Sequence, residues 1–297
     1  MKINNRSSRK SWALGTGHWA LRTSTMVDAR QPWSAGLYGC GFYVGKLTGT
    51  VVCHTAFKSK ESPQQMTSSM PKKKPASTLV FDVNETLIDI STLEPFFERL
   101  FGDAAVLREW FPEMILYSQA ITLSGIYTPF GELAAGVLRM VGQNRSVPVS
   151  DADVAELKGL FGKMPAHDDV APGLARLKEA GFTLVTLTNS APGASPTPLE
   201  QAGISECFDH HFSVEGVGKF KPHPATYEMV ASKLDVSSSE LCMVACHLWD
   251  TIGAQAAGCQ GAFIQRPHNN ILHADKIPTP DFVASDLMDL AGQFGVA

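Results

Sequence analysis

Three charged side chains stand where short apolar runs of this 297-residue chain give way to polar residues. Asp82 comes directly after the apolar run 78–81, Lys221 lies in a Lys-Pro segment, and Asp250 closely follows the apolar run 241–245. A carboxylate can act as a nucleophile when a nearby cation keeps it ionised, and fixed charges then stabilise the reaction. These residue types therefore predict nucleophilic catalysis if the fold brings them together.

Other polar and aromatic side chains accompany the same kinds of segment. They follow an apolar run or the Lys-Pro segment within a few residues, so they are candidates for binding a substrate around the charged groups. These residues are Asn84, Thr86, Thr188, Asn189, Tyr227, His247 and Trp249.

The apolar runs have the length of buried strands. Residues 78–81, 182–187, 241–245 and 261–264 are short and rich in apolar side chains, with helical stretches beside them. Short buried strands that alternate with helices predict a parallel sheet covered by helices on both faces. Because ligands bind at the carboxyl ends of the strands in such folds, we expect a Rossmann-like, doubly wound α/β sheet whose strand ends carry the candidate residues.

The stretch between the first two predicted strands is too long for a simple crossover. Residues 94–166 place apolar side chains at helical spacing. Pro112 is expected near a helix start, because proline cannot donate a backbone hydrogen bond inside a helix. The sequence thus predicts a helical cap domain over 94–166, inserted into an α/β core domain formed by residues 76–93 and 167–297.

The composition is that of an ordinary globular protein, with 44% apolar and 18% charged residues. Residues 76–297 hold 13 basic and 27 acidic side chains, and this balance gives no support for nucleic-acid binding. No uncharged apolar run reaches the roughly 18 residues of a membrane span. The six cysteines form no CxxC pair, which favours reduced thiols, a cytoplasmic location and no cysteine-bound metal.

The first 75 residues differ from the rest because they hold 12 basic and only 2 acidic side chains. They show neither sustained helical periodicity nor clean strand alternation. We expect residues 1–75 to be an unstructured or poorly ordered N-terminal extension. Three interpretations remain open: a transit peptide, a disordered tail, or a chain start placed upstream of a natural beginning at Met70.

Four segments resemble the ordered motifs of the haloacid dehalogenase superfamily, and above all its type II 2-haloacid dehalogenase branch. They are FDVNETL at 81–87, LTNS at 187–190, FKPHPATY at 220–227 and WD at 249–250. The resemblance implies hydrolysis of a small 2-haloacid to the 2-hydroxyacid, without metal or organic cofactor. It also implies a homodimer contact through the cap helices.

The resemblance assigns a role to each matching residue. Asp82 would displace the halide and form an ester, Lys221 would keep Asp82 ionised, and Asp250 would position or deprotonate the water that hydrolyses the ester. The other matching residues would hold the carboxylates or surround the substrate: Thr86, Thr188, Asn189, Tyr227 and Trp249.

Four positions depart from the pattern of the dehalogenases. Glu85 replaces the usual glycine of the first motif, and Phe111 stands where the cap motif usually has a halide-binding arginine. Ala245 and His247 replace a serine and an asparagine of the fourth motif. These changes predict an altered halide cradle, in which Phe111 and His247 are still expected to contact the substrate.

Asn84 separates two enzyme classes. Phosphatases of the superfamily have an aspartic acid at this position that protonates the leaving group, whereas an asparagine cannot donate a proton in that role. The fourth motif also offers Asp250 without an adjacent second acid for Mg²⁺. Dehalogenation is therefore favoured, while a Mg²⁺-dependent phosphatase of small phosphate esters and a non-catalytic binding relative stay open as alternatives.

Overall fold

The structure is a computed structural model that describes residues 74–193 and 196–296. The prediction that residues 1–75 form an extension falls almost wholly on residues outside the described ones, so it stays a prediction. Of the extension, only Lys74 and Pro75 are described, and the Lys74 carbonyl accepts a hydrogen bond from Gln260. None of the helices in the described ranges is long and apolar enough to cross a membrane.

A parallel sheet forms the centre of the described chain, in the order β3-β2-β1-β4-β5-β6. Its innermost strands are entirely or mostly buried, as their apolar sequences require. The strands are β1 Thr78–Phe81, β2 Thr183–Thr188, β3 His210–Ser213, β4 Leu241–Ala245, β5 Gln260–Ile264 and β6 Phe282–Ala284. The predicted parallel α/β sheet is confirmed.

The four predicted strands correspond to β1, β2, β4 and β5 within one residue at each end. Strands β3 and β6, the two edge strands of the sheet, are not among the predicted strands. The residues of β3 are exposed or half-buried, and the three-residue β6 has an exposed residue at its centre. An edge strand pairs on one side only and needs no continuous apolar run, so periodicity gives it little signal.

Helices that alternate with the later strands pack on the sheet in two groups. Helix α5 packs against β2 and α9, while α8 packs against β4, β5 and α7. The ranges of these helices, with the short α6, are α5 Val170–Glu179, α6 Pro198–Gln201, α7 Pro224–Leu234, α8 Leu248–Ala256 and α9 Leu287–Gln293.

Four further helices lie between β1 and α5, where the insertion was predicted: α1 Glu94–Phe101, α2 Leu107–Leu123, α3 Phe130–Asn144 and α4 Asp151–Phe161. Helix α2 packs along α3, and α3 contacts α4. Aromatic rings fill the space between them, since Trp110 lies 5.4 Å from Phe97 and 5.8 Å from Phe161, measured between ring centroids. Ser150 caps the N-terminus of α4 through a capping box with Asp153.

Pro112 does not lie at a helix start, contrary to the prediction. It is the sixth residue of α2, where it has no N–H to donate to the carbonyl of Arg108 one turn earlier. The neighbouring side chains Trp110 and Phe111 are buried, so burial of the apolar face of α2 outweighs the lost hydrogen bond.

Candidate active site

Asp82 is the residue after β1, and its backbone N–H donates to the Val244 carbonyl of β4. This bond extends the sheet by one residue and fixes the Asp82 side chain at the carboxyl edge. Asp82 Oδ1 accepts a hydrogen bond from Lys221 Nζ at 2.9 Å, and Oδ2 accepts one from Thr86 Oγ1 at 2.7 Å. The carboxylate is 5% exposed. It is therefore a buried anion with a donor on each oxygen.

Lys221 joins the two aspartates that the sequence analysis singled out. Its Nζ donates to Asp82 Oδ1, to Asp250 Oδ2 at 2.7 Å and to the Leu187 carbonyl at 2.9 Å, so all three ammonium protons are used. The side chain is fully buried. Asn189 Oδ1 accepts from the Lys221 backbone N–H at 3.0 Å and so holds the loop that carries the lysine.

Tyr227 completes the surroundings of Asp250. Its hydroxyl donates to Asp250 Oδ1 at 2.6 Å, while Oδ2 is taken by Lys221. Helix α8 reaches this position only because residue 253 is glycine. A Cβ at Gly253 would lie 2.4 Å from the Pro222 side chain and 2.9 Å from the Tyr227 hydroxyl, which is closer than atoms can pack.

His247 makes contacts that the sequence analysis did not predict. Its Nδ1 lies 3.1 Å from Asp82 Oδ2, and its Nε2 lies 2.9 Å from Glu85 Oε2. Glu85 also forms an ion pair with Arg108 of α2. A chain of alternating charges thus runs from Arg108 through Glu85 and His247 to Asp82.

Two aromatic rings enclose the His247 imidazole. Trp249 stacks on it with a centroid distance of 5.1 Å and an interplanar angle of 16°, and Phe111 stacks at 5.7 Å and 29°. Phe111, which we expected to contact the substrate, is 5% exposed and serves as one of these walls. Hydrogen bonds to both ring nitrogens and stacking with two aromatic rings therefore fix the orientation of the His247 ring.

Glu85 occupies a backbone position that favours glycine. Its φ angle is +66°, in the left-handed region, where a side chain costs about 1–2 kcal/mol. The carboxylate is nevertheless buried and placed between Arg108 and His247. The observed geometry thus explains why a glycine is usual here, and it shows what contacts offset the strain in this chain.

Asn84 and Thr188 form hydrogen bonds with Ser190 and none with the charged side chains described above. The Asn84 amide donates to Ser190 Oγ at 3.4 Å, and Thr188 Oγ1 accepts from the Ser190 backbone N–H at 3.1 Å. All three residues border a cavity of about 270 Å³ at the carboxyl ends of β2 and β3, whose other walls include Pro198 and Leu199. The two predicted binding residues therefore line this cavity, whose walls do not include Asp82.

Asp82, Glu85 and His247 stabilise one another in their charged forms. Burial alone would raise the pKa of Asp82, but Lys221 and His247 outweigh it and hold that pKa well below its usual range. Burial also opposes ionisation of Glu85, yet His247 and Arg108 lower its pKa. Burial disfavours a charge on His247, but Cys246 and the Asp82 and Glu85 carboxylates beside the ring nitrogens outweigh it and raise its pKa well above 6.5.

Asp250 differs from Asp82 because the positive charge of Lys221 does not outweigh the effect of burial on its pKa. Burial and the neighbouring Asp82 raise the pKa of Asp250, although Lys221 acts in the opposite direction. Burial also raises the pKa of Tyr227, so this hydroxyl stays protonated and donates. Burial lowers the pKa of Lys221, but the two aspartates outweigh it and keep the ammonium charged. The site thus holds one carboxylate suited to nucleophilic attack and one that is more basic.

Glu85, Cys246 and His247 bring ligand-type atoms within 4.8 Å of one another. A metal-bound histidine needs a nitrogen without a proton, but both ring nitrogens of His247 are hydrogen-bonded to carboxylates. Arg108 also places a positive charge beside Glu85. These contacts fit an ion-paired cluster better than a metal site.

The structure brings together most of the residues that the sequence analysis proposed. From the sequence, Glu85 stands out only as a departure from the family pattern, and Arg108 is not among the predicted site residues. A signal for Arg108 exists, since it precedes Phe111 by three residues and shares its face of helix α2. The charged cluster consists of Asp82, Glu85, Arg108, Lys221, His247 and Asp250, and we use this name for it below.

Comparisons with known proteins agree on the family. The (S)-2-haloacid dehalogenase 1 of Pseudomonas sp. (strain CBS-3) is 29% identical over 194 residues, which is 65% of this chain and 86% of that protein. The haloacetate dehalogenase H-2 of Moraxella sp. (strain B) is 25% identical over 65% of this chain and 87% of its own length.

Solved structures have the same fold. An L-2-haloacid dehalogenase that is 27% identical aligns with a TM-score of 0.70 and covers 75% of this chain and 100% of that chain. The L-2-haloacid dehalogenase of Xanthobacter autotrophicus gives a TM-score of 0.67 at 24% identity, over 73% of this chain and 97% of that chain. A sequence model of the haloacid dehalogenase-like hydrolases matches residues 76–258. The chain therefore belongs to the haloacid dehalogenase-like hydrolase family.

Proposed function

We propose that this protein hydrolyses a small 2-haloacid to the 2-hydroxyacid through an aspartyl ester on Asp82. The observation that carries the proposal is the buried Asp82 carboxylate, held ionised by Lys221 and oriented by Thr86 at the end of β1. The names of the relatives, (S)-2-haloacid dehalogenase and haloacetate dehalogenase, support the substrate class.

The first step is displacement at the α-carbon of the substrate. An Asp82 oxygen attacks this carbon, and the halide leaves with the electron pair of the carbon–halogen bond. Halide is a weak base and leaves without a proton, so this step needs no general acid. Lys221 keeps the nucleophile charged in a pocket with little water, where an anion is more reactive than in solution.

The second step is hydrolysis of the ester. A water molecule attacks the Asp82 carbonyl carbon while the Asp250 carboxylate takes one of its protons. Asp250 suits this role because its pKa is raised by burial, and Tyr227 and Lys221 fix its orientation. The proton returns to the oxygen of the leaving 2-hydroxyacid, and Asp82 is regenerated.

Arg108 is proposed to hold the negative charge of the substrate. Its side chain comes from α2, one turn before Phe111, and is 25% exposed. The buried Nε atom is one of the few polar side-chain atoms in the described ranges without a hydrogen-bond partner. This N–H is therefore available to a carboxylate or a halide, in a helix where the arginine expected from the resemblance is replaced by Phe111.

Helices α1 to α4, within residues 94–166, are proposed to form a cap over the site. The contacts of Phe111 with His247 and of Arg108 with Glu85 support this, because both α2 side chains reach residues at the strand ends. A cap of this kind would exclude bulk water from the ester. We propose that the core comprises residues 76–93 and 167–297.

The test is a halide-release assay with chloroacetate, 2-chloropropionate and fluoroacetate, run beside a generic phosphate ester with and without Mg²⁺. Release of halide in the presence of EDTA is expected, with little phosphatase activity. Mg²⁺-dependent phosphate release without any halide release would refute the proposal. A single turnover in ¹⁸O-water with excess enzyme should label the Asp82 carboxylate, whereas label in the product alone would exclude the ester.

A cytoplasmic location and a homodimer complete the proposal. The free thiols of Cys207, Cys246 and Cys259 suit a reducing compartment. Leu116 and Leu123 of α2 expose apolar side chains, which supports a subunit contact through this helix. Sedimentation equilibrium of the wild-type protein and of a Leu123→Lys variant tests the dimer, which the substitution should weaken.

A further inference from the structure

We infer that His247 is a further catalytic residue: its Nδ1–H stabilises the negative charge that develops on Asp82 Oδ2 during ester hydrolysis, and Glu85 is its positioning residue. The inference rests on the proposed function, since it requires an ester on Asp82. It concerns three of the four positions where the chain departs from the dehalogenase pattern, since Glu85 and Phe111 each contact His247.

The hydrogen bonds of His247 determine its charge. Asp82 Oδ2 and Glu85 Oε2 are carboxylate oxygens, which accept and do not donate when ionised. Both ring nitrogens must therefore carry a proton, so the ring is an imidazolium. The other charged groups of the cluster balance it: Arg108 pairs with Glu85, and Lys221 pairs with Asp82 and Asp250. The remaining titratable neighbour, Cys246, is a buried thiol whose pKa is raised by that burial.

The direction of the His247 donors decides what the ring can act on. Nε2–H is used by Glu85, and the ring stacks with Phe111 and Trp249. Only Nδ1–H points to a reacting group, and that group is Asp82 Oδ2. His247 thus acts on the nucleophile itself and not on the departing halide.

The two oxygens of Asp82 have different surroundings. Within the described residues, Oδ2 accepts hydrogen bonds from both Thr86 and His247, whereas Oδ1 accepts one from Lys221. Each hydrogen bond lowers the nucleophilicity of its acceptor, so Oδ1 is the attacking oxygen. The Thr86 hydroxyl is itself oriented, because Thr86 Oγ1 accepts from the Cys246 backbone N–H at 3.0 Å. Oδ2 is therefore already surrounded by donors before the reaction starts.

The ester step then proceeds with a balanced movement of atoms. After the attack, Oδ1 is bonded to the α-carbon and Oδ2 is the ester carbonyl oxygen. Water adds to Cγ, Asp250 takes one proton, and the carbonyl electron pair moves onto Oδ2, where Thr86 and His247 stabilise it. The Cγ–Oδ1 bond breaks, the leaving alkoxide takes the proton from Asp250, and the regenerated Asp82 releases the second water proton to solvent.

Two features show that this arrangement is built for a charged ring. Glu85 adopts a left-handed backbone conformation that is unfavourable for its side chain, yet its carboxylate is buried against His247. His247 itself is 6% exposed, in a position where a neutral ring would need only one acceptor. A preorganised donor of this kind costs no reorganisation when the charge develops.

The test is the pre-steady-state release of halide by a His247→Ala variant, with ester formation followed by intact-protein mass. We expect a rapid burst of about one halide per site, because Lys221, the largest cause of the lowered Asp82 pKa, remains in place and Oδ1 makes no hydrogen bond to His247. Turnover after the burst should fall by about 10²–10³-fold, the usual loss for one such donor, and the Asp82 ester should accumulate. His210→Ala, which changes an exposed histidine of β3, should show wild-type kinetics.

The outcomes separate this inference from the proposed function. If the wild-type protein releases no halide from any 2-haloacid, the proposed function fails, and the inference fails with it. If the wild-type protein turns over but His247→Ala loses its burst and accumulates no ester, the inference alone is wrong. His247→Asn, which keeps an amide donor without a charge, should accumulate the ester to a smaller extent and provides the same test should the alanine variant not fold.

Glu85→Gln tests the positioning role. A glutamine can still accept from Nε2–H, but it does not hold the positive charge on His247. Ester hydrolysis by this variant should therefore decline as the pH rises through neutrality, whereas that of the wild-type protein should stay level in this range. Equal pH profiles for the variant and the wild type would contradict the role, and a purely structural effect would lower the rate equally at each pH.

Discussion

Replacement of Lys221 by methionine is the sharpest test of the charged cluster. Methionine has nearly the same length and volume, so the fully buried side chain is kept while its charge is removed. The change leaves two carboxylates without the cation between them. Because both oxygens lie within 3 Å of Nζ, Asp82 Oδ1 and Asp250 Oδ2 are at most about 6 Å apart.

The expected size of the effect follows from this distance. Two like charges about 6 Å apart repel by about 3 kcal/mol at an effective dielectric constant of about 20, which corresponds to about 2 pKa units. Loss of the attraction to Lys221 adds to this shift. The pKa of at least one of the two aspartates should therefore rise by about 2 units or more, and halide release should fall as the pH is lowered through this higher value. Loss of one partner from a buried ion pair also costs about 3–5 kcal/mol of folding stability.

The assay compares the initial rate of halide release from pH 5 to pH 9 for the wild type and Lys221→Met. The acidic limb of the profile should move up by at least about 2 pH units, so the loss of activity relative to the wild type should grow as the pH is lowered towards about 5. Lys219→Met is the matched control, since it removes a charge from the same loop outside the cluster. A Lys221→Met variant with the wild-type acidic limb would refute our account of how Lys221 offsets the repulsion between Asp82 and Asp250.

Three further predictions concern the same region. Tyr227→Phe removes the hydroxyl that binds Asp250, and should slow ester hydrolysis by about 10- to 100-fold in single-turnover product assays while leaving the halide burst unchanged. Gly253→Ala should lower the midpoint of thermal unfolding, because overpacking costs about 1–3 kcal/mol. The control Gly292→Ala has open space around its Cβ and should keep the wild-type midpoint. Equal midpoints for the two variants would contradict the close approach of α8. The lowered pKa of Asp82 stabilises the fold above the unfolded value of about 3.9, and this contribution disappears as the pH falls through the folded value. Urea unfolding should therefore show wild-type stability declining below about pH 5, and less steeply for Asp82→Asn; parallel declines would argue against an ionised Asp82 in the folded state.

The innermost strands and the candidate residues could be predicted because their signals are local. β1 and β4 are continuous apolar runs, and in a parallel sheet their carboxyl ends must lie together. Asp82 and Asp250 could thus be assigned to one edge before any distance was known. The edge strands and the position of Pro112 could not be predicted, since partial exposure weakens periodicity and tertiary burial overrides the local preference.

The sequence by itself determined the residue types of the site and their order along the chain. Only the tertiary structure decided how the departures at Glu85, Phe111 and His247 relate to one another. In the sequence they are separate substitutions, up to 162 positions apart in the case of Glu85 and His247. In the fold, Phe111 stacks on His247, and Glu85 binds its Nε2, so the three act on one ring. The physical reason is that charge balance and stacking depend on distances of a few ångströms, which residue spacing along a chain does not specify.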